Sequence, residues 1–176
     1  MTKRFVHAFI VIVAVLWQAS SLAGQMPSQQ KAYQTRILPE AAKKIENVAP
    51  DWRFLPAVCG LRGPLLNEEV SVECGTWQPV GRGTASAEVM VILRVIATTD
   101  AASRRIDSVK ERRLADGWTT VAYELGDGAF LAVYLGGRRY SIEVRKGRLL
   151  AQVSAESKSD AQRIAEYVVT AISGEK

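Results

Sequence analysis

The chain is poor in histidine, with one in 176 residues, at position 7. It has two cysteines, Cys59 and Cys74, and only 7% aromatic residues. No apolar run reaches the ~20 residues that a membrane-spanning helix needs. There is no Walker motif, EF-hand loop or N-x-[ST] sequon, and no complete dinucleotide loop, since Gly81 and Gly83 lack the third glycine. What is present is ordinary for a globular domain: 48% apolar and 23% charged residues, with a net charge of +5. That composition argues against disorder, collagen-like repeats and a polytopic membrane protein.

Residues 1–23 read as a signal peptide. Lys3 and Arg4 form a basic start, Phe5 to Trp17 an apolar stretch, and Ser21-Leu22-Ala23 a small-residue cleavage site. Cleavage after Ala23 leaves 153 residues with a charge of +3. It also removes His7, so the expected mature chain contains no histidine. Ser-His-Asp and Cys-His catalysis and His-ligated metal sites are then excluded. No metal, cofactor or catalytic residue is assigned. An exported pair of cysteines predicts a disulfide, Cys59–Cys74, closing a loop of 16 residues. The spacing is far from the C-x-x-C of redox enzymes.

Residues 24–36 are polar and Gln-rich and read as a tether. They include Ser28 and Lys31, an S-x-x-K match that lacks the partner motifs of acylating enzymes. Residues 37–176 read as a single α+β domain. A helix runs from Pro39 to about Ala49, with Pro39 in its first turn and Pro50 ending it. Residues 51–84 are rich in Pro and Gly and predict an irregular, disulfide-closed loop with at most one short strand, Glu69–Glu73. Trp52, Phe54 and Trp77 anchor it to the core.

From Ala85 the pattern sharpens. Ala87, Val89, Val91, Leu93 and Val95 alternate with Met90, Ile92 and Ile96, giving a strand buried on most of both faces. A helix follows from an Asp100 cap to about Ala115, stopped by Gly117. Four strands come next: Trp118–Leu125, Ala129–Leu135, Arg138–Arg145 and Arg148–Ala155. Gly126-Asp127-Gly128, Gly136-Gly137 and Lys146-Gly147 turn between them. A final helix starts at Ser159, where Ser159 and Gln162 match a capping box. The expected core is β-α-β-β-β-β-α, a mostly antiparallel sheet of about five strands with helices packed on it.

The stretch Leu125-Gly126-Asp127-Gly128-Ala129-Phe130, then Ile142-Glu143-Val144-Arg145-Lys146-Gly147, a strand and an Ala-rich helix, carries a resemblance. It resembles small exported bacterial domains of the PsbP-like group, often lipoproteins or sensor ectodomains, over residues 85–173. The resemblance implies a binding or accessory module rather than an enzyme. The chain departs from the lipoprotein members in having no cysteine near the expected cleavage site. No site residues carry over, because the matching positions are structural turns.

Five basic residues cluster in the third and fourth strands of the meander, spread toward opposite ends of the strand rather than focal: Arg138, Arg139, Arg145, Lys146 and Arg148. They make a candidate contact for an anionic envelope component or an acidic partner. The competing reading is a solvated face that discourages edge-to-edge aggregation. The helix Arg104–Arg113 is also basic, with Arg105 and Arg112 on one face. Asp127, between two glycines, reads as a turn cap; with Glu124 it could instead form the carboxylate pair of a glycan hydrolase. A third reading is an inhibitor or assembly factor docking through residues 51–84. Export argues against nucleic acid as a partner, and cleavage leaves no membrane span. The leading expectation is a periplasmic or secreted, non-enzymatic accessory or binding module of the bacterial envelope.

Overall fold

The computed structural model describes residues 37–57, 59, 68–81, 88–134 and 136–173. The expected signal peptide and the 24–36 tether lie outside the described residues. The first helix, α1, spans Ile37–Val48, and β1 (Trp52–Ala57), β2 (Glu69–Pro79) and β3 (Val89–Ile96) follow. Helix α2 (Thr99–Ala115) leads to β4 (Thr119–Tyr123), β5 (Gly128–Val133), β6 (Tyr140–Lys146) and β7 (Leu149–Ala155). Helix α3 (Lys158–Ile172) comes last. The strands form one seven-stranded sheet in the order β1-β2-β3-β7-β6-β5-β4. Every neighbouring pair is antiparallel.

The topology is two meanders joined by a helix. β1, β2 and β3 form the first. Helix α2 then carries the chain to the far edge, and β4 to β7 step back until β7 pairs with β3. Alternation along the strands separates two faces. Val89, Val91, Leu93, Ile142, Val144, Ala151 and Val153 point to one face, under α1 and α3. Leu38, Ile45, Ile164, Val168 and Ile172 of those helices complete this larger core. The opposite face carries a smaller cluster of Ile96, Phe130, Ala132 and Leu150 beneath Ala101, Ala102 and Ile106 of α2.

The α+β class and the antiparallel sheet agree with the sequence reading, but the sheet has seven strands rather than about five. The two additional strands are β1 and most of β2, in the segment expected to be irregular. The breakers there occupy positions a strand tolerates. Pro56 lies in β1, an edge strand, where its missing N–H costs no ladder bond on the open side. Pro79 is the last residue of β2. Gly75 lies under the Phe54 ring, in space a Cβ would occupy. Phe54 in turn packs on Trp77 with ring centroids 4.6 Å apart. Trp52 and Trp77 are both buried, as expected of anchors.

Two helix starts differ from the expected caps. Thr98, not Asp100, caps α2, its hydroxyl accepting the Ala101 N–H at 3.1 Å. Ser157, not Ser159, caps α3, accepting from Asp160 N at 3.3 Å. In both cases an earlier hydroxyl residue takes the cap, and the expected one lies inside the first turn. Gly117 follows α2 at φ 80°, the left-handed conformation expected of a C-terminal glycine.

Cys59 and Cys74 are disulfide-bonded, with Cα atoms 5.3 Å apart. The bond closes the connection between β1 and β2 two residues beyond the last paired residue, Ala57, which lies opposite Cys74.

Candidate functional site

The alternation that buries Val91 and Leu93 of β3 turns Arg94 to the sheet face under α2. The same logic places Glu143 of β6 and Leu150 and Gln152 of β7 on that face. On α2, Arg105, Val109 and Arg112 follow i, i+4, i+7, and Ile106, Val109 and Arg113 follow i, i+3, i+7. An apolar stripe flanked by guanidinium groups therefore faces the sheet.

Between helix and sheet lies a cavity of about 300 Å³. Its cationic lining is Arg94, Arg105, Arg112 and Arg113, and its acidic lining is Asp116 and Glu143. Ile106, Val109 and Leu150 supply apolar wall. The volume is at the lower end of the range for small-molecule sites.

The floor is a polar network. Glu143 is buried, and its Oε1 accepts from Arg113 Nη2 at 2.8 Å and from Ser141 Oγ at 3.1 Å. Ser141 and Ser154 hydroxyls lie 3.1 Å apart, which carries the network onto β7. Arg113 also lies over the Trp118 ring, 4.6 Å from its centroid. Trp118 meets Tyr134 edge to face at 5.2 Å. The Arg113 Nε is buried and has no hydrogen-bond partner among the described residues.

Glu69 of β2 serves two arginines. Its Oε1 lies 3.4 Å from Arg94 Nε and 3.6 Å from Arg105 Nη2. Burial lowers the Arg94 pKa from its usual value, Glu69 and then Glu143 oppose that shift, and Arg105 and Arg113 reinforce it. Arginine stays protonated throughout the physiological range, so the shift reports burial of the guanidinium, not a switch. Arg112, exposed at the rim, makes no ion pair among the described residues.

The five basic residues singled out in the sequence lie at the two ends of β6, spread rather than focal. Arg138 and Arg139 are exposed beside the Gly136–Gly137 turn. Arg145, Lys146 and Arg148 sit at the opposite end of β6 and are engaged in holding turns. Arg145 Nη2 donates to Asp127 O at 2.9 Å, Lys146 Nζ to Asp127 Oδ1 at 2.9 Å, and Arg148 Nη1 to Ala97 O at 3.3 Å. Asp127 does cap a turn, but the neighbouring one: its Oδ2 accepts the Gly147 N–H at 2.7 Å. That bond first, and then Lys146, holds the carboxyl below its ordinary pKa. Glu124 is exposed.

The residues that sequence reasoning passed over are Arg94 and Gln152, together with the buried setting of Glu143. The signal for Arg94 was a charge in the otherwise apolar β3, opposite a helix rich in arginine. Among the described residues, no group of three or more His, Cys, Asp or Glu is placed to hold a metal ion. No described helix is long and apolar enough to cross a membrane. No protein-family model matches the chain, and a search of curated proteins found no match.

Proposed function

We propose that this protein is an exported, non-enzymatic binding or accessory module of the bacterial envelope, and that it holds an anionic ligand or partner group at the α2–sheet cavity. The observation that carries this reading is the concentration of Arg94, Arg105, Arg112 and Arg113 around one cavity, against two acidic side chains in its lining. Guanidinium groups in a partly desolvated cleft recognise carboxylate and phosphate by paired, charge-assisted hydrogen bonds. The Cys59–Cys74 bond fits an oxidising compartment. The Asp127 carboxylate is engaged by Gly147 and Lys146, a poor arrangement for a general acid, and this favours binding over hydrolysis.

Native mass spectrometry of protein purified from its own envelope tests the reading. A retained anionic species, or an envelope protein captured by crosslinking and lost on Arg105→Gln/Arg112→Gln substitution, is the expected result. Turnover of envelope glycan that depends on Asp127 and Glu124 would overturn it.

A further inference from the structure

The cavity is not lined by charge alone. Ile106, Val109 and Leu150 line it together with Arg94, Arg105 and Arg112, while Arg113 is held by Glu143. An inorganic anion would leave the apolar wall wet. A neutral apolar molecule would leave the guanidinium groups without a counter-charge. The lining is matched by a molecule that carries both features.

We infer that the cavity binds a small organic anion, with its oxyanion head on Arg94, Arg105 and Arg112 and its apolar body against Ile106, Val109 and Leu150. Carboxylate and phosphate monoester share this chemistry. The inference deepens the proposed function and rests on it.

Glu69 is the resident competitor. Its Oε1 stands 3.4 Å and 3.6 Å from the nearest nitrogens of Arg94 and Arg105. A well-formed guanidinium–carboxylate contact is ~2.7–2.9 Å, so neither arginine is engaged at close range by this oxygen. Each guanidinium keeps further N–H donors for a second oxyanion. The bound head then shares Arg94 and Arg105 with a carboxylate of its own sign. Removing that charge strengthens binding, and removing an arginine weakens it. The two variants shift affinity in opposite directions, which a merely structural role for these residues would not produce.

The test is isothermal titration of the full chain with hexanoate, hexyl phosphate, inorganic phosphate and hexanol. At least one of the two organic anions binds about tenfold or more tightly than both inorganic phosphate and hexanol, and their order tells carboxylate from phosphate recognition. A hydrogen bond to a charged group is worth ~1.5–3 kcal/mol, so Arg105→Gln weakens binding by about tenfold or more. Arg112→Gln weakens it too and flattens its salt dependence; Arg112 is exposed, so this variant keeps its fold. Glu69→Gln tightens it. Failure of the wild type to bind either organic anion overturns the inference, as does wild-type affinity in both arginine variants. If an envelope protein is still captured while these ligands fail, the inference falls and the binding-module reading stands.

Discussion

Glu73 caps helix α1 from a neighbouring strand. Its two carboxylate oxygens accept the backbone N–H groups of Ile37 at 3.3 Å and Leu38 at 2.7 Å, across 36 and 35 residues of sequence. The first N–H groups of a helix have no partner within it, and the helix dipole adds a favourable field for an anion there. Glu73 thus ties the start of α1 to the middle of β2.

Replacing Glu73 with Ala removes that acceptor from the Ile37 and Leu38 N–H groups. Loss of a cap costs ~0.5–2 kcal/mol. Glu73→Ala therefore lowers stability by about 1–2 kcal/mol in urea unfolding. Gln at the same position retains an acceptor and recovers part of the loss. Equal stability of wild type and Glu73→Ala would show that water satisfies those N–H groups equally well.

The Arg113–Glu143 pair is the second stability test. The two side chains are 20% and 8% exposed and 2.8 Å apart. Breaking a buried pair from one side costs ~3–5 kcal/mol, because the remaining charge is desolvated without a partner. Arg113 keeps some solvent contact, so Arg113→Met costs about 3 kcal/mol. Adding Glu143→Gln recovers more than half of that loss, since the amide can still meet Ser141 and carries no charge. A double variant no more stable than the single one would show that Arg113 acts through its packing on Trp118.

Asp127 gives the protein a signature at acid pH. Its carboxyl titrates below its ordinary value, held first by the Gly147 N–H and then by Lys146. A depressed folded pKa makes a contribution that is complete above the unfolded value of about 4 and is lost as pH falls through the folded value. Wild type is therefore more stable than Asp127→Asn at pH 6, and the gap narrows steadily below about pH 4. Thermal melts of both proteins from pH 6 to pH 2.5 measure it. A gap that stays constant across that range would assign the effect of Asp127 to hydrogen bonding alone.

How much was legible follows from which signals are local. The β4–β7 meander and the last two helices lie within a few residues of their expected bounds, because strand alternation, paired glycines and helical stripes are short-range patterns. β1 was not legible. Pro56 and the proline- and glycine-rich run after it read as a loop, and only pairing with β2, across at least 17 residues of sequence, makes Trp52–Ala57 a strand. The cavity was half legible. Arg105 and Arg112 share a visible helix face, but Arg94 and Glu143 come from strands separated in the chain by α2 and two further strands. The partners of Arg145, Lys146 and Arg148, Asp127 and Ala97, were not legible for the same reason: they are long-range.

The last prediction concerns the Cys59–Cys74 bond. It closes a loop with a sequence separation of 15, and a loop of that length is worth about 3 kcal/mol through the entropy it removes from the unfolded chain. At roughly 3 °C per kcal/mol for a domain of this size, reduction lowers the Tm by about 10 °C. The native side of the balance changes little, because β1 remains paired with β2 over Trp52–Ala57. Reduced protein therefore keeps its far-UV circular dichroism at 20 °C and melts earlier. The Cys59→Ala/Cys74→Ala variant melts with the reduced protein and is indifferent to reductant. Should the oxidised and reduced forms melt together, the β1–β2 ladder alone holds this end of the sheet, and the disulfide adds nothing to its stability.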